Sequence, residues 1–127
     1  MSGSSVEVAV KMQMSLGESP LWSASEQTLY WVDIRQCRIY SWRPDSLDAP
    51  ESIDLEEPIG CIGLRDGGLV AATASSIQTI DLPSGQNRQM LATNREWRDK
   101  GNRFNDGRCD ARGRLWVGTI DADEVSP

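Results

Sequence analysis

Residues 102–119 read NRFNDGRCDARGRLWVGT, a polar segment that runs directly into a short apolar strand at 115–117. Asn, Asp and Gly tolerate the backbone geometry of turns, so the Asn-Asp-Gly sequence at 105–107 predicts a turn. A loop at the mouth of a sheet can aim its polar side chains at a ligand. The stretch therefore predicts a turn followed by a strand, with Arg103 and Asn105 presented for binding.

The pattern of a polar turn followed by an apolar triplet occurs three times, at 30–32, 69–71 and 115–117. The first residues of these triplets are separated by 39 and 46 positions. Four-stranded β-propeller blades repeat about every 40–50 residues. Apolar triplets also arise by chance in all-β chains, but the matched turns favour a propeller. At about 45 residues per blade, the chain would hold a little under three blades.

The rest of the chain has the periodicity of strands and no useful amphipathic helical stripe, which predicts an all-β fold. The best candidate for a short helix is 94–100. Strands are predicted where apolar or alternating runs lie between turn-prone clusters: 6–10, 28–34, 38–42, 52–55, 61–64, 69–72, 77–82 and 115–119.

The composition is acidic, with 13 Lys and Arg against 19 Asp and Glu and a formal net charge of −6. This balance argues against nucleic acid or an anionic membrane surface as a partner. No apolar run approaches the roughly 20 residues that span a bilayer, and no export signal is visible. Cys37, Cys61 and Cys109 lack the spacing of a zinc knuckle and are expected to be free thiols. These features predict a cytoplasmic protein.

The chain contains no histidine, and this absence restricts its chemistry. A Ser-His-Asp or Cys-His catalytic pair and a histidine-ligated zinc are excluded within these residues. Carboxylates, amides, Arg and a metal held by oxygen remain. Calcium and magnesium are the cations that prefer oxygen ligands.

Two further motifs lie upstream, LGESPLW at 16–22 and LYWVDI at 29–34. Taken with 102–119, they resemble the family of regucalcin (senescence marker protein), gluconolactonases and the luciferin-regenerating enzyme, over residues 16–123. The resemblance implies a β-propeller of the six-bladed type. Residues 1–127 would then be the N-terminal part of one propeller domain, with about the first two and a half to three blades. Open strand edges of such a part could self-associate.

The resemblance assigns Glu18 to a metal. In the family, the Glu of the Gly-Glu-Ser-Pro motif looks into the central channel and ligates a divalent cation. Calcium is the metal most expected, with zinc, magnesium and manganese as alternatives. A carboxylate suits the task because it is a hard oxygen ligand. A lone loop Glu is more often simply solvated, so the assignment depends on the surrounding motif.

The resemblance also assigns Arg103, Asn105 and Asp123 to substrate binding. Arg supplies a rigid fork of donors and Asn both a donor and an acceptor, which suits the hydroxyls and ring oxygen of a sugar lactone. Many relatives carry Glu at the position of Asp123, and Asp121 is a competing assignment. The alternative for Arg103 and Asn105 is a structural turn in which 105–107 supplies only backbone geometry.

Other prominent residues are expected to be structural. Asp106 and Asp110 flank the polar loop and should accept its hydrogen bonds. The five tryptophans could stack on a sugar or cage a cation, but packing between blades is the commoner use at strand positions. None is assigned to the site.

The function implied by the resemblance is metal-dependent hydrolysis of a sugar (aldono-) lactone. A divalent ion would polarise the ester carbonyl while a carboxylate takes the proton from water. Two further family ligands, an Asn and the Asp favoured as general base, would lie beyond Pro127, so no catalytic base is expected within this chain. The alternatives are a non-catalytic calcium- or ligand-binding propeller and a protein-interaction scaffold. The common scaffold repeat needs a Gly-His pair, which this chain lacks.

Overall fold

The computed structural model describes residues 3–125 of the chain. Within that range it contains ten β-strands and one short helix, so the predicted all-β class is confirmed. The elements, in order, are β1 (Gly17–Ser23), β2 (Thr28–Asp33), β3 (Arg38–Trp42), β4 (Glu51–Asp54), β5 (Ile59–Arg65), β6 (Gly68–Thr73), β7 (Ser76–Asp81), β8 (Arg88–Thr93), α1 (Arg95–Lys100), β9 (Arg103–Cys109) and β10 (Leu115–Ile120).

The strands form three antiparallel sheets that follow one another along the chain. The first sheet has the order β1-β2-β3-β4, the second β5-β6-β7-β8, and the third is the hairpin β9-β10. Each predicted apolar triplet lies on the second strand of its sheet, β2, β6 or β10. The sequence repeat is therefore a repeat of structure: two four-stranded blades and half of a third.

The core lies between the first two blades. Val32 of β2, Ile59 of β5 and Leu69 of β6 are completely buried, together with Ile80 of β7. The third sheet is different, because every residue of β9 and β10 is exposed or only half-buried. Most of the apolar burial that stabilises the fold therefore comes from the first two blades.

The helix α1 lies where the sequence predicts one and is capped at both ends. The side chain of Asn94 accepts hydrogen bonds from the backbone N–H groups of Glu96 and Trp97. Gly101 ends the helix in the left-handed conformation, with a φ of 75°, which glycine adopts without steric cost. Among the described residues no helix is long and apolar enough to cross a membrane.

Seven of the predicted strands are present, and one is wrong. Residues 6–10 form no strand, and the side chains of Val6 and Val8 are 103% and 77% exposed. Their alternating pattern has no neighbouring strand against which an apolar face could be buried. The sequence does not predict β1, β8 or β9. Two of these have little of the apolar alternation that identifies a strand: β1 contains a Ser-Pro pair, and every residue of β8 is exposed.

The predicted turn at 105–107 is also wrong. These residues belong to β9, where Gly107 pairs with Val117 of β10. The turn lies further along the chain and is closed by a 3.0 Å hydrogen bond from Gly113 N to Asp110 O. Gly107 is needed within the strand because a Cβ there would lie 2.5 Å from the carbonyl oxygen of Trp116. Arg103 and Asn105 therefore lie on a strand and not in a turn.

Candidate functional site

The first strands of the three blades, β1, β5 and β9, lie side by side with β5 in the middle. A 3.2 Å hydrogen bond from Ile62 N to Ser19 Oγ joins β5 to β1. On the other side, a Cβ on Gly60 would lie 2.5 Å from the carbonyl oxygen of Asn105, so β9 approaches β5 closely. Ser19, the neighbour of Glu18, and Asn105 therefore lie on opposite sides of β5, next to Ile62 and Gly60 respectively.

Arg103 and Asn105 are hydrogen-bonded to each other. Arg103 Nη1 donates to Asn105 Oδ1 at 2.9 Å and to the carbonyl oxygen of Phe104 at 3.1 Å. Both side chains are half-buried. A guanidinium can only donate, so this contact decides the orientation of the Asn105 amide. Its oxygen faces Arg103 and its NH₂ group is left for another acceptor.

The pair is a cluster of unused donors. Within residues 3–125, Asn105 Nδ2 and the remaining N–H groups of Arg103 have no hydrogen-bond acceptor. The mutual hydrogen bond restricts both side chains, so their geometry is largely set before a ligand arrives. Such a surface suits a ligand rich in oxygen acceptors, including carbonyl, hydroxyl and carboxylate groups.

Glu18 lies on an irregular part of β1. The register between β1 and β2 shifts between Glu18 and Leu21, and Ser19 has a φ of 56°. This left-handed conformation is uncommon for a residue with a Cβ, and a bulge of this kind re-aims side chains. The Glu18 side chain is exposed and forms no hydrogen bond or ion pair with the other described residues.

The described residues do not make a complete metal site. In the part of the chain that the structure describes, no group of three or more Cys, Asp or Glu side chains could hold a metal ion. Glu18 could supply one hard oxygen ligand, whereas calcium takes six to eight. The described residues therefore supply at most one ligand of such a site, of the oxygen type that calcium prefers, and the metal role of Glu18 stays a prediction.

The two candidate aspartates, Asp121 and Asp123, both lie in the turn after β10 but differ in their surroundings. Asp121 Oδ2 accepts a hydrogen bond from Val125 N at 2.9 Å, so its carboxylate stabilises the turn. Asp123 is exposed. Ile120 at the end of β10 pairs with Arg103 at the start of β9, which places this turn at the same end of the hairpin as Arg103. Asp123 therefore remains the better candidate for contact with a ligand.

Sequence reasoning missed the side chains that hold this end of β9. Asn94, which is 6% exposed, donates from Nδ2 to the carbonyl oxygens of Ala74 at 2.9 Å and Asn102 at 2.8 Å. Glu96 of α1 accepts hydrogen bonds from Asn102 Nδ2 at 3.3 Å and Thr119 Oγ1 at 2.9 Å. A helix start at Asn94 can be read from the sequence, but Ala74 lies 20 positions away and no local pattern indicates that contact.

The carboxylate of Glu57, which lies between the first two blades, accepts hydrogen bonds from neighbouring residues. Its Oε1 accepts hydrogen bonds from the Thr73 hydroxyl, from Ser75 N at 3.0 Å and from Ser75 Oγ at 2.6 Å. Burial opposes its ionisation, but these hydrogen bonds outweigh that effect and lower the pKa of Glu57. A carboxylate with a low pKa is a poor general base, so Glu57 is assigned a structural role.

Two further carboxylates with lowered pKa values are structural. Asp33 is buried; burial alone would raise its pKa, but backbone N–H donors, three of them at 2.7–3.2 Å, lower it instead. Asp110 accepts from Trp116 Nε1 at 3.0 Å and from backbone amides of its own turn. These hydrogen bonds, that of Trp116 foremost, lower the pKa of Asp110 to about 2. The prediction that Asp110 accepts hydrogen bonds in the turn is confirmed. Asp106 lies on β9, where its carboxylate accepts a 2.8 Å hydrogen bond from the neighbouring Gly107 N–H.

The tryptophans are used less for packing than the sequence suggests. Trp31 stacks on Tyr40 with 5.5 Å between ring centroids, as expected for packing within a blade. Trp116 is 65% exposed, and the guanidinium carbon of Arg114 lies 5.6 Å from its ring centroid. Trp22 and Trp97 are also exposed. The expectation of blade packing therefore holds for Trp31 and is wrong for these three in the described chain.

The three cysteines are free, as predicted. Cys61 is buried on β5, and burial raises its pKa to about 11. A thiol with so high a pKa is unreactive, because the thiolate is the nucleophile. Its sulfur lies opposite Gly107 of β9, where an added Cβ would come within 2.9 Å. Cys61 therefore packs the two inner strands together.

Repeated four-stranded antiparallel sheets with their first strands side by side define a β-propeller. The end of this propeller at which β9 begins carries the donor pair Arg103 and Asn105, with Glu18 across β5. The chain is thus a propeller protein in which the described residues present polar hydrogen-bond donors at one end of the inner strands.

Comparison with known proteins identifies the family. Residues 16–127 match the family described as the SMP-30/Gluconolactonase/LRE-like region, and the chain belongs to this family. It is 42% identical over 117 residues to a 6-deoxy-6-sulfogluconolactonase of Pseudomonas putida, covering 91% of this chain and 39% of that protein. It is 35% identical over 129 residues to a regucalcin of Xenopus laevis, covering 100% of this chain and 42% of that protein.

The fold comparison agrees with the family. A solved structure of a luciferin-regenerating enzyme is similar with a TM-score of 0.76 at 27% identity, covering 87% of this chain and 38% of that chain. The predicted fold is therefore confirmed: two and a half blades of a β-propeller of the six-bladed type. The chain spans well under half the length of each of these relatives.

Proposed function

We propose that this chain is part of a sugar-lactone hydrolase in which Arg103 and Asn105 bind the lactone. The observation that supports the proposal most is the 2.9 Å hydrogen bond between the two side chains. It leaves the NH₂ group of Asn105 and the other N–H groups of Arg103 unused within residues 3–125. A sugar lactone offers matching acceptors in its ester carbonyl, ring oxygen and hydroxyls. A relative named as a sulfogluconolactonase lends support from the family.

Arg103 and Asn105 would act by binding and orienting the lactone. Their N–H groups would donate to its oxygen atoms, while the carboxylate of Asp123 would accept a hydrogen bond from a sugar hydroxyl. The proton of the attacking water needs a different group. Asp33 and Glu57 have lowered pKa values and each already accepts three or more hydrogen bonds, so they are poor bases. We assign the general base to none of the described residues.

Glu18 is proposed as one oxygen ligand of a divalent cation, with calcium preferred and zinc, magnesium or manganese as alternatives. When bound, such a cation would polarise the ester carbonyl. The bulge at Ser19 supports this role, because it re-aims a carboxylate that has no other partner among the described residues. Glu18 alone cannot hold the ion, so its other ligands would be water or residues outside this set.

A non-catalytic calcium- or ligand-binding propeller is the second candidate. It is favoured by one observation: the pKa values of Asp33, Glu57 and Asp110 are all lowered, which suits structural carboxylates better than proton transfer. Such a protein would bind a lactone or its aldonate without turning it over.

For either function we propose a cytoplasmic location, since three free thiols suit a reducing compartment. Self-association is proposed through β10, whose outer edge has no partner strand in the described range.

The decisive experiment measures hydrolysis of D-glucono-1,5-lactone at saturating calcium by the whole protein of which we propose this chain is part, because we assign the general base to none of the described residues. Arg103→Ala and Asn105→Ala should each lower kcat/KM by a factor that corresponds to about 1–3 kcal/mol. Arg108→Ala is the matched control, because Arg108 lies on the same strand but is exposed and makes no side-chain hydrogen bond with the described residues. Binding without turnover in the unmodified protein would favour the second candidate. Equal turnover in all variants would refute the proposed role of the pair.

A further inference from the structure

The side chain of Asn94 uses its full hydrogen-bonding capacity. Its oxygen accepts from Glu96 N at 3.1 Å and Trp97 N at 3.3 Å, which caps α1. Its nitrogen donates to the carbonyl oxygens of Ala74 at 2.9 Å and Asn102 at 2.8 Å. The residue is 6% exposed, so water cannot readily replace these partners. One amide group thus joins three segments of the chain.

The two carbonyl groups that Asn94 holds belong to the segments that locate the start of β9. Ala74 is buried in the turn between β6 and β7 of the second blade, and Asn102 directly precedes Arg103. Phe104 N also donates to the Ala74 carbonyl, at 3.4 Å. The backbone is therefore tied on both sides of Arg103, once through Asn94 and once directly to Ala74.

We propose that Asn94 is a positioning residue for the Arg103–Asn105 pair, an inference that rests on the function proposed for that pair. Its oxygen forms the helix cap and its NH₂ group holds the backbone that carries the two donors. The anchor matters because the third sheet has no buried apolar residue of its own to fix β9. Positioning comes instead from these polar contacts and from the close approach of β9 to β5.

Residues of α1 and of the segment after it are also hydrogen-bonded to β10 and to the turn that follows it. Asn102 Oδ1 accepts a hydrogen bond from Ala122 N at 2.9 Å, and Glu96 accepts one from Thr119 Oγ1 at 2.9 Å. The turn that contains Asp123 is thereby tied to the segment that Asn94 holds. Asn94 consequently sets the position of Arg103 relative to the second blade, while Asn102 and Glu96 link Asp123 to it.

Substitution can separate the two roles of Asn94, namely the helix cap formed by its oxygen and the hydrogen bonds of its NH₂ group to the Ala74 and Asn102 carbonyl oxygens. Asn94→Ser keeps a good N-cap acceptor, but serine is too short to reach two carbonyl groups and has only one proton to donate. Asn94→Ala removes both functions. Arg95→Ala is the control, since Arg95 is an exposed neighbour on α1 without a side-chain hydrogen bond to the described residues.

The first measurement is amide hydrogen exchange in the whole protein. In Asn94→Ser, exchange at Phe104 should be about tenfold faster, whereas exchange at Gly101, whose N–H donates to Trp97 O at 3.0 Å, should stay within about threefold. In Asn94→Ala both amides should exchange faster. If Asn94→Ser leaves Phe104 unchanged, Asn94 is a helix cap only and the inference is wrong.

The second measurement links the anchor to the ligand. Asn94→Ser should raise the KM for D-glucono-1,5-lactone about five- to tenfold, and the same substitution should add almost nothing in an Arg103→Ala background. Equal effects in both backgrounds would mean a general loss of structure and would overturn the positioning role. If the unmodified protein binds and hydrolyses no aldonolactone, the proposed function fails, while the exchange ratio still decides whether Asn94 holds β9.

Discussion

Strands β6 and β10 hold the same place in successive blades, yet they meet different surroundings. Leu69 of β6 is completely buried, whereas Leu115, which begins the equivalent triplet on β10, is only half-buried. β6 lies between two strands of a four-stranded sheet, while β10 pairs with β9 alone in the described range. The first two blades therefore supply most of the buried core, whereas the third sheet carries the polar pair that we propose as the binding site.

The largest contrast is expected from truncation of the two equivalent leucines. Leu69→Ala should lower the free energy of unfolding by about 3 kcal/mol, because it leaves a cavity in a packed core. Leu115→Ala should cost about 1 kcal/mol, since a half-buried side chain loses fewer contacts. Urea unfolding followed by circular dichroism measures both. Equal losses would show that the hairpin β9-β10 is as well packed as the blades before it.

A smaller effect is expected where the two regions touch. Gly60→Ala would place a Cβ 2.5 Å from the carbonyl oxygens of Phe104 and Asn105, so β9 must move away from β5. Overpacking of this kind costs about 1–3 kcal/mol. It should also weaken lactone binding, because Asn105 moves with its strand.

Gly118→Ala on β10 is the control for that substitution, because an added Cβ there meets nothing within 4 Å. It should change neither the unfolding free energy nor the affinity for the lactone. If Gly60→Ala proved as harmless as Gly118→Ala, β5 would not be the support against which β9 is placed.

The smallest effect is expected when acidic pH protonates the carboxylates of Asp33, in the first blade, and Asp110, in the third sheet. Both Asp33 and Asp110 have folded-state pKa values below the ordinary 3.8, so their ionised forms stabilise the fold above that pH. The contribution of Asp110 should be lost as the pH falls from 3.8 to about 2, and that of Asp33 should likewise decline below 3.8. The buried Asp33 should matter more, because solvent screens the exposed hydrogen bonds around Asp110.

Melting temperatures between pH 6 and pH 2.5 test this comparison in Asp33→Asn and Asp110→Asn. Asp33→Asn should be clearly less stable than the unmodified protein at pH 6, and the difference should shrink on acidification. Asp110→Asn should show a weaker trend of the same sign. A difference for Asp33→Asn that stayed constant with pH would mean that its charge does not contribute.

Much of the fold could be read from the sequence because each blade repeats a local pattern. The apolar triplets at 30–32, 69–71 and 115–117 identify the second strands, which are the easiest to recognise because their side chains are apolar. The false strand at 6–10 has the same local alternation without a partner strand. The missed β8 shows the converse, since its residues are exposed and its pairing with β7 alone makes it a strand.

The candidate site was less predictable than the fold. Family resemblance points to Arg103 and Asn105, but the Asn-Asp-Gly sequence predicts a turn because local propensity favours one. In the fold, pairing with β10 and the close packing against Gly60 override that propensity. The contacts of Asn94 with Ala74 and Asn102 depend on tertiary structure, so no local pattern could indicate them.

We propose above all that the hydrogen-bonded pair on β9 donates to an oxygen-rich ligand. The most direct measurement is a nuclear magnetic resonance titration with the non-hydrolysable analogue D-glucono-1,5-lactam, which follows the side-chain N–H signals of Arg103, Asn105 and Arg108. We expect saturable shifts of the Asn105 NH₂ and Arg103 guanidinium signals, with no shift of the Arg108 signal. Shifts confined to other residues, with the signals of the pair unmoved at saturation, would contradict the account.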